Sequence, residues 1–88
     1  MKDGIKYLIT GGAGFIGSNF IHYLYAHYDD ISVRVLDKLT YSGNPDSLKE
    51  FEGRRDFEFI KGDICDEKIV KETMEGVDYV INFAAEVS

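Results

Sequence analysis

The stretch "ITGGAGFIGSNF", residues 9–20, sets four glycines within seven positions and then passes straight into apolar residues at helical spacing. Glycine loses more conformational freedom on folding than any other residue, so such a cluster needs a physical reason. The run also lacks the Ser, Thr, Asp or Asn that ordinarily caps a helix just before its first apolar residue. The first N–H groups of that helix must therefore find another acceptor.

The pattern around the cluster supplies the context. Residues 5–10 read as a short buried strand. Over residues 13–28 the spacing changes, with Ile16, Phe20 and Leu24 recurring every fourth position, joined by Ile21 and Tyr25, which predicts an amphipathic helix. "ISVRVLD" (31–37) is a second strand, and "KLTYSGNPDSLKEFEGRRD" (38–56) a long loop holding a short helix opened by Asp46 after Pro45. "FEFIKGD" (57–63) gives a third strand, residues 67–74 a second helix, and "VDYVINFAA" (77–85) a fourth, apolar strand. Strand and helix thus alternate. Such alternation requires right-handed crossovers and a parallel sheet covered on both faces. The expected fold is α/β, a Rossmann-like, doubly wound sheet of order 3-2-1-4 with flanking helices. Nothing divides the chain, so residues 1–88 are expected to be one unit. It reads as unfinished, since its apolar fourth strand would form an edge where such runs belong inside a sheet.

Composition narrows the partners. At 88 residues with a net charge of −6, the chain is a poor match for nucleic acid or an anionic membrane surface. A bound phosphate is still compatible, because backbone amides can hold it without lysine. Cys65 has no second cysteine to pair with, which suits a reducing, cytoplasmic setting, and it is expected to be a half-buried residue in a βα turn. No segment has the pattern of a signal peptide or reaches the roughly 20 apolar residues of a membrane span.

The strand–glycine–helix order answers the question of the missing cap. Gly12, Gly14 and Gly17 spell G-x-G-x-x-G, in which glycine permits the tight turn, the close approach of a ligand and the close packing of helix on strand. A dinucleotide pyrophosphate at the helix N-terminus would accept the free N–H groups and meet the positive end of the helix dipole. Asp37 lies at the end of strand two, about 20 residues beyond the motif, where a carboxylate can accept from the adenosine ribose hydroxyls. Arg34 is expected to leave by the opposite face from Asp37. Asp63 and Ile64 end strand three and could flank an adenine ring, while the small residues Ala84 and Ala85 after Phe83 would leave room for the nicotinamide half. His22 and His27 are five apart and do not share a helix face for a metal; both are expected on the surface, and no metal site is expected. The acidic residues 66, 67, 72 and 75 read as a solvated face, and the absence of G-K-[ST] argues against a P-loop.

These residues resemble a known family. "TGGAGFIG" (10–17) is similar to the T-G-x-x-G-x-x-G signature of the extended short-chain dehydrogenase/reductases, in which Gly11, Gly14 and Gly17 are the family glycines. "DKLTYSGN" (37–44), "GDICD" (62–66) and "NFAAE" (82–86) resemble stretches of the branch that holds the dTDP-glucose 4,6-dehydratases. The resemblance implies NAD as cofactor, with Gly11, Gly12, Ala13, Gly14, Phe15, Ile16 and Gly17 at the pyrophosphate and Asp37 at the ribose. It implies Lys38, Leu39, Thr40 and Gly43 along the adenosine half, Asp63 and Ile64 at adenine, and Phe83, Ala84 and Ala85 near nicotinamide. Glu86 matches the family Glu, but Val87 and Ser88 stand where the family has Ser or Thr and then His.

The implied reaction is a nucleotide-sugar 4,6-dehydration. Hydride passes from hexose carbon 4 to NAD⁺, water leaves from carbons 5 and 6, and the hydride returns to carbon 6. The implied substrate is dTDP-glucose, and the implied assembly of the intact enzyme a homodimer. The Tyr-x-x-x-Lys pair that the family uses does not occur in these residues. No catalytic residue is therefore assigned, the substrate domain is expected to be absent, and the segment alone is expected to be an inactive partial NAD-binding domain. Two other readings stay open: a UDP-hexose 4-epimerase of the same family, and a non-catalytic dinucleotide-binding regulatory module.

Overall fold

The computed structural model describes residues 4–11, 15–38 and 46–83. Its centre is β2 (Ile31–Asp37), flanked by β1 (Ile5–Thr10) and β3 (Phe57–Lys61), with β4 (Tyr79–Asn82) beyond β1. All pairings are parallel and the order is β3-β2-β1-β4, as the alternation predicts. Ile31, Val33, Val35 and Leu36 of β2 are all buried. That near-continuous burial follows from a sheet covered on both faces.

Strand alternation separates the two layers. Ile9, Val33 and Val35 pack against Ile21 and Leu24 of α1 (Phe15–His27) and against Leu48 and Phe51 of a 3₁₀ helix at Asp46–Phe51. The alternate residues face α2 (Glu67–Thr73): a Cβ at Gly62 would stand 3.0 Å from Ile69 and 3.1 Å from Leu36, so that residue must stay small. Arg34 leaves on this face as expected and seats itself at the C-terminal end of α2. Its Nη1 donates to the carbonyls of Thr73 (2.7 Å) and Glu75 (3.2 Å), and its Nε to Glu58 Oε1 (3.1 Å). A cation there satisfies carbonyls that the helix leaves unpaired.

A polar clamp ties α1 to the segment between the 3₁₀ helix and β3. The Tyr25 hydroxyl donates to the Asp56 carbonyl at 2.6 Å. Arg54 makes two hydrogen bonds of 2.8 Å to the Asp56 carboxylate and lies 4.4 Å above the Tyr25 ring. Burial is the main cause that pushes the Tyr25 hydroxyl well above its ordinary value, and the nearby Asp56 charge adds to it.

Several side chains depart from the sequence expectation. Ile16 is 68% exposed, whereas Ile21 is fully buried. Four-residue steps overshoot a helical turn by about 40° each, so Ile16 lies about 80° round the helix from Leu24, on the far edge of the apolar stripe. The buried face instead runs through Gly17, Ile21 and Leu24. His22 is half-buried against the Phe51 ring, 4.8 Å between centroids, because the 3₁₀ helix closes over that side of α1. Cys65 is exposed in its turn rather than half-buried, since α2 begins only after it. Asp66 does more than solvate a helix face: its Oδ1 accepts from the N–H groups of Lys68 (3.1 Å) and Ile69 (3.4 Å) as the N-cap of α2. Among the described residues β4 covers Tyr79–Asn82 of the expected stretch, without residues 77, 78 and 83, and α1 is described from Phe15. Among the described residues no helix is long and apolar enough to cross a membrane.

Candidate functional site

Because the four strands run parallel and in register, the residues that follow each one gather along a single edge. Gly11 N–H donates to the Leu36 carbonyl (2.9 Å), Gly62 N–H to the Asp37 carbonyl (3.0 Å) and Phe83 N–H to the Thr10 carbonyl (2.7 Å). These bonds extend the ladders one step past the strands. They put Lys61, Asp37, Gly11 and Phe83 in one row, with Asp63 two residues farther along the β3 continuation. With strands about 4.8 Å apart, four of them make an edge about 15 Å long, enough for an extended ligand. In an open parallel sheet this is the edge at which ligands bind, centred between the strands where the order reverses. Here those are β1 and β4.

Between them β1 opens directly into the glycine turn. Gly11 has φ of +74°, a left-handed conformation that a side chain resists. Gly17 is buried in the first turns of α1, which lets that helix lie close to the sheet. The contrast between the two helices is informative. α2 is capped by the Asp66 carboxylate. α1 has no acidic residue in its first turn, and in the sequence it is preceded by glycine and alanine at positions 11–14. An anion fits that position.

The ends of β2 and β3 carry charge. Asp37 is half-buried at the last position of β2. Next to it, Lys38 reaches across to β3, its Nζ 3.6 Å from Asp63 Oδ2. The other oxygen of Asp63 accepts from the Cys65 N–H at 2.9 Å. That backbone bond is the largest cause that holds the Asp63 carboxyl below its ordinary range, with the Lys38 charge as a smaller one. Ile64, 40% exposed, stands beside Asp63 and shares a shallow cleft with Glu67, Val70 and Lys71 of α2 and with Met74 just after it.

At the other end of the row the Thr10 hydroxyl donates to Asn82 Oδ1 at 2.6 Å and ties the last residue of β1 to the last of β4. Phe83 packs on Phe20 of α1, 5.5 Å between ring centroids. Sequence reasoning did not single out the Thr10–Asn82 bond or the Lys38–Asp63 pair. Each joins residues far apart in the chain, although all four lie inside the quoted motifs.

Of the expected site residues, the structure thus brings together Gly11, Phe15, Ile16, Gly17, Asp37, Lys38, Asp63, Ile64 and Phe83 around one edge. Gly12, Ala13, Gly14, Leu39, Thr40, Gly43, Ala84 and Ala85 lie outside the described residues. Among the described residues no group of three or more His, Cys, Asp or Glu side chains could hold a metal ion.

Comparison with known proteins agrees with this fold. A probable dTDP-glucose 4,6-dehydratase of Sinorhizobium fredii is 49% identical over 86 residues, covering 93% of this chain and 23% of that protein. The crystal structure of a dTDP-glucose 4,6-dehydratase from Bacillus anthracis in complex with NAD superposes with a TM-score of 0.85 at 39% identity, over 94% of this chain and 27% of the other. A UDP-Glc/GlcNAc 4-epimerase from Campylobacter jejuni superposes with a TM-score of 0.77 at 33% identity, over 97% of this chain and 26% of the other. The chain therefore spans about a quarter of the length of the relatives it matches. The sequence profile of the family described as GDP-mannose 4,6 dehydratase matches residues 8–88, from the middle of β1 through the last residue, and the chain belongs to that family.

Proposed function

We propose that this chain is the NAD-binding segment of a nucleotide-sugar 4,6-dehydratase that acts on dTDP-glucose. The observation that carries the reading is the edge itself: a left-handed Gly11 at the end of β1, in one row with the Asp37 carboxylate and followed by an α1 with no acidic residue in its first turn. In this reading the N–H groups of Phe15, Ile16 and Gly17, with the Gly11–Gly14 turn, hold the pyrophosphate. Asp37 accepts from the ribose hydroxyls. Lys38, Leu39, Thr40 and Gly43 line the adenosine half, Asp63 and Ile64 flank adenine, and Phe83, Ala84 and Ala85 border nicotinamide. When bound, NAD would supply an acceptor for the sugar hydride and a donor for its return.

What these residues contribute is binding and orientation. Glycines that admit the ligand to the backbone, and a buried Gly17 under α1, fix where the reactive ring lies relative to the β1–β4 crevice. The Thr10–Asn82 bond holds the two sides of that crevice at a set distance. A homodimeric, cytoplasmic enzyme completes the proposal, supported by the family resemblance and by the cysteine content.

The test is turnover by the full-length protein. Incubated with NAD⁺ and dTDP-glucose, it is expected to accumulate a 4-keto-6-deoxy sugar. The similarity to 4-epimerases defines the second reading. Conversion of UDP-glucose to UDP-galactose with no keto product would replace the first proposal with it. Binding of NAD with no turnover of either sugar would favour a regulatory module.

A further inference from the structure

We propose that the Lys38–Asp63 ion pair enforces the choice of NAD over NADP, with Asp63 acting as a specificity-determining residue through Lys38. The inference rests on the placement of the cofactor ribose at Asp37. A 2′-phosphate there would need a cation to offset the Asp37 carboxylate. Two cations lie close to Asp37 in β2 and its continuation, and the fold commits both elsewhere. Arg34 is turned to the other face, where Glu58 and the α2 carbonyls hold it. Lys38 is adjacent to Asp37 and its side chain is 70% exposed, so it has the reach to meet a phosphate. Asp63 holds it instead.

The geometry of Asp63 suits that task. One carboxylate oxygen is anchored by the Cys65 N–H, at 2.9 Å, which fixes the orientation of the group at the start of the turn. The other oxygen is thereby aimed at the Lys38 ammonium, 3.6 Å away. An acceptor already fixed by the backbone loses little further freedom when it takes a cation, unlike a pair of two flexible side chains. NADP would have to break this pair to gain the ammonium, whereas NAD leaves it intact. Lys61 is the remaining cation to consider, since it lies opposite Asp37 in the β2–β3 register.

The experiment measures dissociation constants for NAD⁺ and NADP⁺ by calorimetry on the full-length wild type and on Asp63→Asn. Asparagine can still accept from the Cys65 N–H, so the turn is preserved while the charge is lost. Any adenine contact made by residue 63 is shared by both cofactors and cancels in their ratio. The NADP-to-NAD affinity ratio is expected to rise about threefold or more in Asp63→Asn, within the range of an exposed ion pair, and to rise less at high salt. In Asp63→Asn/Lys38→Met the rise should vanish, and in Asp63→Asn/Lys61→Met it should persist. A ratio unchanged in Asp63→Asn, or a rise that survives Lys38→Met, overturns the role of the pair while leaving the cofactor site standing. A wild type that binds neither cofactor overturns both.

Discussion

In the proposed site, exchange of Asp37 for alanine removes an acceptor that NAD can use and NADP would find repulsive. A hydrogen bond to a charged group contributes about 1.5–3 kcal/mol, so the wild type should favour NAD by at least about tenfold, and Asp37→Ala should lower that ratio. Parallel titrations with the two oxidised cofactors check this, and equal wild-type affinities would rule the role out. The position of Asp37 was legible because it depends on local facts, a β-branched strand and its last residue. The exposure of Ile16 was not legible in the same way. Its apolar character argues for burial, but which side of α1 meets the sheet is set by where Gly17 permits the closest approach.

Among the elements, α1 is joined by the clamp to the segment that leads from the 3₁₀ helix into β3. Tyr25→Phe removes only the hydroxyl that bonds the Asp56 carbonyl and should cost about 0.5–1.5 kcal/mol by denaturant unfolding, without loss of the fold. The clamp also has a pH signature. Hydrogen bonds from Arg54 hold the Asp56 carboxyl below its ordinary 3.8, against an opposing push from desolvation, and the Arg54 charge adds to the lowering. A depressed folded-state value means that the stabilisation is complete above the ordinary value and is lost as pH falls through the folded one. Wild-type stability should therefore fall more steeply between about pH 5 and pH 2 than that of Asp56→Asn. Parallel melts with identical slopes for the two proteins would show that the clamp carries no such linkage. The strands and helices themselves were readable from periodicity and turn residues. The clamp was not, since the chain must first fold back through the 3₁₀ helix to bring Arg54 and Asp56 against Tyr25.

At the scale of the molecule, the open side of β4 governs how the 88-residue chain behaves by itself. Tyr79 is 56% and Val80 47% exposed, on a strand that ends the described sheet. An apolar edge is a template for pairing, so the isolated 88 residues should self-associate, with β4 amides less protected than those of β1. Sedimentation and amide exchange decide this, and a stable monomer with equal protection would contradict it. The same 88-mer should bind NAD weakly and form no 4-keto sugar. Positioned proton transfer is worth about 10²–10⁴-fold, and the Tyr-x-x-x-Lys that would provide it is not in these residues. Product formation within about tenfold of the full-length protein would refute that expectation.

The order of strands and helices and the parallel sheet followed from the sequence alone, because each rests on interactions between near neighbours: apolar spacing and the length that a parallel crossover requires. The row at the sheet edge follows from those in turn, since parallel strands in register must end together. Which side chains meet across that row was decided by tertiary structure. The Lys38–Asp63 pair needs β2 and β3 side by side, and the seat of Arg34 needs α2 laid across the sheet with its last carbonyls over β2. Residues 25 or more positions apart carry no local sign of their partner, and only the packed chain brings the two charges within reach.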